Sequence, residues 1–115
     1  MQEPQYFFLS LEPDFFPPSA QETGRFIGNL PELHFSNGEM LFVDLLHPIC
    51  QRPTDLVAWQ QRVGPVALVT RIPVSTEASM HLEEEGFEIV YREQVMQRIA
   101  AKSTLVSRKS ADRIH

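Results

Sequence analysis

Three short apolar segments, separated by amphipathic ones, constrain the fold of this chain more than any other feature. They are 40–46 (MLFVDLL), 66–70 (VALVT) and 87–91 (FEIVY). The segments that follow them have apolar residues at helical spacing, and the first two begin near proline, serine or threonine. Strands that are apolar on both faces and alternate with helices are typical of a parallel sheet covered on both sides. The pattern therefore predicts an α/β fold.

Residues 1–103 are expected to form a single three-layer α/β domain, with helices on both faces of a mixed, mostly parallel sheet of about five strands. The predicted strands cover 6–11, 32–36, 40–46, 66–71 and 87–91, and the predicted helices cover 20–30, 54–63, 75–85 and 93–103. Asn37-Gly38 is a strong hairpin signal because both residues tolerate positive φ. We therefore expect 32–36 to pair antiparallel with 40–46.

Charge divides the chain into an acidic body and a basic end. Residues 1–97 hold fourteen acidic and five basic residues, whereas 98–115 hold one acidic and five basic residues. An acidic body repels the phosphate backbone of nucleic acids. Residues 104–115 are predicted to be a basic, flexible tail. As alternatives, this tail could bind nucleic acid or an acidic partner, or fold back on the body.

The sequence predicts a cytoplasmic protein without a membrane segment. No apolar run approaches the roughly 20 residues of a membrane-spanning helix. The first residues, MQEPQYFF, lack the basic start and apolar stretch of a secretory signal. The single cysteine, Cys50, excludes an internal disulfide and fits a reducing compartment.

Polar residues follow the predicted parallel strands, at the edge where open α/β sheets bind ligands. They are Glu12 and Asp14; Asp44, His47 and Cys50; Thr70, Arg71, Ser75 and Thr76; and Tyr91 and Arg92. Asp44, His47 and Cys50 have the side-chain types of a nucleophile, its base and an orienting carboxylate. The alternative is that Cys50 is a small buried apolar group.

An anion site is a second possibility at this edge. Arg71 lies close in sequence to a predicted helix start at Ser75 or Thr76, where free backbone N–H groups favour anions. The alternative there is an ordinary capped helix. No cofactor is predicted, because the chain has neither a GxGxxG nor a Walker-type glycine-rich loop.

Adjacent aromatic residues near the N-terminus suggest a contact surface. Phe15 and Phe16 precede Pro17-Pro18, and exposed neighbouring aromatic side chains seldom stay solvated. These two residues are therefore candidates for a homodimer interface. The alternative is that they pack in the core.

The segment LFVDLLHPI, followed by a predicted helix and then PVALVT, resembles the response-regulator receiver domain. Asp44 and Pro48 match the D-[LIM]-x-x-P motif that carries the phosphorylated aspartate of that family. Thr70 matches its Thr or Ser at the end of the fourth strand. Arg92 stands where receivers have a lysine after the fifth strand. The resemblance covers mainly 40–100.

The resemblance also implies a metal-binding acidic group formed by Glu12, Asp14 and Asp44. Several departures from the receiver pattern argue against phosphorylation of Asp44. The second helix is missing, Arg92 replaces the lysine, and Glu93 replaces the proline after it. Arginine is planar and bulkier than lysine, so the two are not equivalent. The resemblance therefore implies a degenerate, protein-binding version of the domain.

The leading functional hypothesis is a non-catalytic regulatory or protein-interaction module with a protein partner. The first alternative is a small enzyme or ligand-binding protein that uses Asp44, His47 and Arg71. The second alternative is nucleic-acid binding through the basic tail.

Overall fold

Five parallel strands form one sheet in the order β2-β1-β3-β4-β5. The computed structural model of the protein describes residues 6–28 and 38–100. The strands are β1 (Tyr6–Leu9), β2 (Gly24–Ile27), β3 (Met40–Asp44), β4 (Val66–Thr70) and β5 (Glu88–Tyr91). The predicted α/β class and five-stranded sheet are confirmed.

The sheet is covered by helices that connect successive strands and by a last helix that follows β5. They are α1 (Ala20–Thr23), α2 (Pro53–Arg62), α3 (Thr76–Glu84) and a last helix, α4, described over 95–100. Short 3-10 helices cover Pro13–Phe15, Pro48–Gln51 and Arg92–Gln94. No helix in the described ranges is long and apolar enough to cross a membrane.

Alternate residues of the central strands build two separate cores. On one face of the sheet, Phe8 and Phe42 pack with Val95 and Ile99 of α4. The opposite core contains side chains from β1, β3, β4 and α2, including Phe7, Leu9, Leu41, Val43, Leu56, Trp59, Val63 and Leu68. The sheet is therefore buried on both sides, as its apolar strands predict.

The predicted helix over 20–30 is wrong beyond Thr23, because Gly24–Ile27 forms strand β2 beside β1. Gly24 packs so closely on β1 that a Cβ atom there would lie 2.4 Å from the Tyr6 carbonyl oxygen. Phe26 stacks on Phe8 with 5.3 Å between ring centroids. Close backbone packing and this aromatic contact favour the strand over a helix that two glycines already weaken.

The predicted strand over 32–36 lies outside the described residues. Strand β3 is bonded to β1 on one side and to β4 on the other. It therefore has no free edge for the antiparallel partner that Asn37-Gly38 suggests. Every pairing among the described strands is parallel. The predicted tail, 104–115, also lies outside the described residues.

Candidate functional site at the carboxyl edge

The centre of the sheet has the geometry at which open α/β sheets bind ligands. From β1 the chain passes to β2 on one side, and β3 returns to the other side of β1. The crevice at the carboxyl ends of β1 and β3 is the topological switch point. Ser10 follows β1 and Asp44 ends β3, and the Ser10 hydroxyl donates a hydrogen bond to Asp44 Oδ2 at 2.9 Å. A contact within the chain bridges this crevice.

Asp44 is a packed carboxylate, only 5% exposed. Its Oδ1 accepts a hydrogen bond from the Leu46 N–H at 3.0 Å. Aspartate side chains commonly form this Asx-turn with the backbone two residues further on. The backbone carbonyl of Asp44 accepts the His47 N–H at 2.9 Å and the Cys50 thiol at 3.4 Å. Oδ1 and the backbone carbonyl therefore hold the turn after β3 in place, while Oδ2 joins it to Ser10 after β1.

His47 caps the 3-10 helix that follows. Its Nδ1 accepts the Ile49 N–H at 3.1 Å, so in the neutral ring the proton is on Nε2. Nε2 is buried and has no hydrogen-bond partner in the part of the chain that the structure describes. Burial lowers the pKa of His47, and the nearby Asp44 opposes this effect only in part. The ring is therefore a neutral cap.

Cys50 is not activated as a nucleophile. Burial, and secondarily the charge of Asp44, raises the pKa of the Cys50 thiol to about 12. The thiol donates to the Asp44 carbonyl, while the acceptor nitrogen of His47 is bonded to Ile49. The three candidate side chains, Asp44, His47 and Cys50, therefore do not form a nucleophile, base and carboxylate arrangement in this structure. In this tight turn, Asp44 Oδ1, His47 Nδ1 and the Cys50 thiol are each bonded to nearby backbone groups instead.

The native Cys50 thiol is expected to react with iodoacetamide about a thousandfold more slowly near pH 8 than in the urea-unfolded chain, because only the thiolate reacts. The alkylation rate followed by mass spectrometry checks this, with the unfolded protein as its own control. A native rate close to the unfolded rate would show that the thiol is exposed and ionised.

Stability is expected to fall as the pH drops below about 6.5, the ordinary pKa of histidine. The unfolded chain takes up a proton at His47 there, while the folded protein, with a lowered His47 pKa, does not. The unfolded state then binds more protons, so the free energy of unfolding decreases until the folded pKa is reached.

Urea unfolding between about pH 7.5 and pH 5.5 measures this dependence. His47→Asn is the matched variant, because an asparagine oxygen can still accept the Ile49 N–H but does not titrate. Its stability should change less over the same range. Equal changes in both proteins would contradict the role of His47, since the other histidines are common to both.

The predicted metal group of Glu12, Asp14 and Asp44 is not formed. Glu12 Oε2 pairs with Arg71 Nη2 at 3.1 Å, and both Asp44 oxygens accept hydrogen bonds. Within 6–28 and 38–100, no three His, Cys, Asp or Glu side chains are grouped to hold a metal ion. Asp14 is exposed on the 3-10 helix after β1.

Two arginine side chains contact the segment that follows β1. Arg71 lies over the Phe15 ring, 4.9 Å from its centroid, in addition to its pair with Glu12. Arg92 donates from Nε to the Phe15 carbonyl and from Nη2 to the Asp14 carbonyl at 3.2 Å. Arg71 and Arg92, the two arginines predicted to bind an anion, therefore contact other residues of the chain instead.

Two of the other predicted anion ligands, Thr70 and Ser75, have local partners. Thr70 donates to the Ile72 carbonyl at 2.9 Å. Ser75 accepts the Ala78 N–H at 3.3 Å and caps α3, and Thr76 is exposed in the first turn. Ser75 is thus the ordinary helix cap that the sequence left open as an alternative.

Phe15 and Phe16 do not provide an exposed interface, since each is only 1% exposed. The Phe16 ring centroid lies 4.9 Å from that of Phe8, 5.0 Å from that of Phe15 and 5.7 Å from that of Phe26. The prediction that these two residues form a dimer surface is wrong, and the alternative of core packing is confirmed. Pairs of aromatic residues in sequence do not by themselves distinguish the two.

The sequence reasoning missed three exposed aliphatic side chains at the same edge. Leu11 is 68% exposed, Leu46 82% and Ile72 70%, and they lie on the loops after β1, β3 and β4. These strands are neighbours, and adjacent strands lie about 5 Å apart. We call the three residues the aliphatic edge. Each follows the last residue of its strand by two positions, a spacing visible in the sequence.

The carboxyl edge thus combines internally bonded polar groups with an exposed apolar surface. Tyr91, at the end of β5, is 38% exposed beside it. Comparison of the chain with protein-family models, with curated proteins and with solved structures found no match.

Proposed function

We propose that the protein is a non-catalytic regulatory or protein-interaction module that binds a partner protein through the aliphatic edge. One observation carries this proposal: the polar side chains at the switch point are engaged within the chain, whereas Leu11, Leu46 and Ile72 are exposed on adjacent loops. Exposed apolar side chains on neighbouring loops can form the apolar patch that is typical of protein contact sites.

The charge around the aliphatic edge indicates the chemistry of the partner. Asp14 is exposed just after the loop that carries Leu11, Glu12 beside it is paired with Arg71, and residues 1–97 have a large acidic excess. Complementary charge speeds association and selects between partners. The matching partner segment would present apolar side chains flanked by lysine or arginine.

Several features support a degenerate receiver-like domain as the origin of this module. The strand order is one of the two common doubly wound orders. Asp44 ends β3, Thr70 ends β4 and Arg92 directly follows β5. Asp44 is bonded to Ser10, and Arg92 holds backbone carbonyls, which favours a protein-binding role over phosphoryl transfer.

The alternative of a small enzyme or ligand-binding protein has less support. It needs Asp44, His47 and Arg71 to face one substrate. Arg71 instead contacts Glu12 and Phe15, and the His47 acceptor nitrogen contacts Ile49. Asp44, His47 and Arg71 are thus each bonded to a different part of the chain.

Nucleic-acid binding through the tail is tested by deleting residues 103–115. If the tail carries this activity, the deletion should remove a salt-dependent affinity for a single-stranded oligonucleotide. Affinity that survives the deletion would rule this route out.

The docking proposal is tested by selecting binders to the full chain from a displayed random peptide library. The expected peptides carry apolar anchors next to lysine or arginine. Their affinity should fall at least tenfold for Leu46→Ser, a loss of about 1.4 kcal/mol. Met80→Ser is the matched control, since Met80 is a 56% exposed apolar residue on α3.

Equal binding to wild type and Leu46→Ser would contradict docking at the aliphatic edge. Loss of binding by Met80→Ser alone would place the contact surface on α3 instead. Failure to select any peptide of the expected composition would also count against the proposal.

A further inference from the structure

The two outer strands of the sheet, β2 and β5, each have a free edge among the described residues. Strand β2 is bonded only to β1, and β5 only to β4. A free edge carries a row of backbone N–H and C=O groups with which another strand can pair. The two edges differ in the residues that they present.

Strand β2 has features that discourage pairing with a further strand. It begins with Gly24, a residue of low strand propensity, and continues with the exposed Arg25. A charged side chain on an edge strand opposes pairing. Strand β5 instead has Ile89, Val90 and Tyr91 in succession, all of them residue types that favour strands. The edge of β5 is therefore better suited to a further strand.

The cover over β5 is incomplete on both faces of the sheet. On one face, a groove of about 310 Å³ lies between β5 and α4, and it is lined by Glu88, Ile89, Val90, Gln94, Gln97 and Arg98. On the other face, α3 contacts β5 but buries none of its own side chains. Ile89 is only partly buried, and Tyr91 is 38% exposed. Apolar side chains at this edge therefore remain accessible to a second molecule.

We propose that β5 pairs with β5 of a second copy of this chain, antiparallel across a two-fold axis, and that the two five-stranded sheets join into one. In such a dimer the same surface of each copy meets itself, and this is the commonest symmetry of protein oligomers. The axis stands perpendicular to the sheet, so α4 of both copies lies on one face and α3 of both copies lies on the other. Addition of a strand to an exposed sheet edge is a recurring mode of recognition.

The register of the two strands follows from side-chain alternation and from charge. Residues that face each other across an antiparallel pair have their side chains on the same face of the sheet. With Val90 at the axis, Ile89 faces Tyr91 of the second copy, and Glu88 faces Arg92 of the second copy. An aromatic residue opposite a β-branched one, and two opposite charges, are both favourable cross-strand pairs. With Ile89 at the axis instead, Glu88 would face Val90, and the pair of opposite charges would be lost.

Glu88 and Arg92 can make this contact while they keep their bonds within the chain. Arg92 donates from Nε and Nη2 to backbone carbonyls, which uses two of the five N–H groups of a guanidinium. Glu88 pairs with Arg98 through Oε1, and a carboxylate has two oxygens that accept. An acidic residue begins β5 and a basic residue follows it. Antiparallel pairing of two copies brings these opposite charges together at both ends of the seam.

The glutamine side chains of the groove fit the same arrangement. Gln94 and Gln97 are exposed and line the groove beside β5. The two-fold axis would bring the grooves of the two copies together over the paired strands. A carboxamide both donates and accepts hydrogen bonds, so glutamines of the two copies can bond to each other.

Sedimentation velocity of the full chain at increasing concentration tests the proposal. We expect the weight-average mass to rise from 13.2 kDa towards twice that value. Ile89→Lys should weaken dimerisation at least about tenfold, because a lysine on an edge strand opposes pairing. Ile27→Lys is the matched control, since Ile27 is also a partly buried isoleucine and lies on the other edge strand. It should change the dissociation constant less than about twofold.

Cysteine cross-linking tests the register and does not depend on the folding of Ile89→Lys. One sample carries Ile89→Cys and a second sample carries Tyr91→Cys, both in a Cys50→Ala background. Under mild oxidation the mixture should form disulfide-linked dimers with one chain of each kind, because facing residues bring their Cα atoms within reach of a disulfide. Neither sample should cross-link alone.

Four results would overturn the proposal. A mass of 13.2 kDa at every concentration would show that no second copy binds. Cross-linking of Ile89→Cys alone, without a product from the mixture, would contradict the register and the contact of Glu88 with Arg92. Loss of the dimer in Ile27→Lys but not in Ile89→Lys would place the contact on β2. Loss only in Leu46→Ser would place the second copy on the aliphatic edge.

Discussion

Replacement of Phe16 by alanine is expected to lower the free energy of unfolding by about 3–5 kcal/mol, the usual cost of removing a buried aromatic ring. The ring is 1% exposed and contacts Phe8, Phe15 and Phe26. Its loss opens a cavity over the face of β1 and β2 that these neighbouring rings can fill only in part. Urea unfolding followed by tryptophan fluorescence, with Trp59 as the reporter, measures the change.

Leu46→Ala is the matched control for Phe16→Ala. Leu46 is 82% exposed, so its truncation should change stability by less than about 0.5 kcal/mol. A small effect of Phe16→Ala, together with a change from dimer to monomer in size-exclusion chromatography, would contradict the burial of Phe16. It would restore the interface first suggested by the sequence.

Replacement of Asp44 by alanine is expected to lower the free energy of unfolding by about 2–3 kcal/mol. The substitution removes the acceptor of the Ser10 hydroxyl and of the Leu46 N–H. Both hydrogen bonds are partly buried, so the cost includes leaving their donors without a partner. Thermal and urea unfolding at neutral pH measure the loss.

The double variant Ser10→Ala, Asp44→Ala shows how much of this loss comes from the bridge between β1 and β3. Because the two side chains bond directly, their effects should be non-additive by about 1 kcal/mol. A stabilising effect of Asp44→Ala would contradict a structural role. Stabilisation on removal of a charge is characteristic of active sites, where function is maintained at the expense of stability.

The alternation of apolar and amphipathic segments was enough to predict the α/β class and most elements of the second half. The stripe of Leu56, Trp59 and Val63 predicted α2, and all three residues are buried. The first half was harder because Gly24–Ile27 is too short to show a period of its own. Its strand depends on packing of Gly24 and Phe26 against β1, a tertiary effect that local propensity does not contain.

The sequence predicted which residues follow the strands but not how their atoms pair. Parallel strands bring Asp44, Thr70 and Arg92 to one edge by topology alone. The bond from Ser10 to Asp44 and the contacts of Arg92 with the Phe15 backbone depend on register and side-chain reach. Because of those contacts, the polar residues at the carboxyl edge are interpreted as packed structural groups and not as a set of reactive groups.

The most direct test of docking at the aliphatic edge is a titration of the isotope-labelled full chain, in which the amide chemical shifts are measured. A selected apolar, basic peptide should produce saturable shifts at Leu11, Leu46 and Ile72. Magnesium with inorganic phosphate should produce no saturable shift at Ser10 or Asp44, because Asp44 is already bonded within the chain. Saturable shifts at Ser10 and Asp44 with magnesium and phosphate, and none at the aliphatic edge with the peptide, would contradict the proposed function.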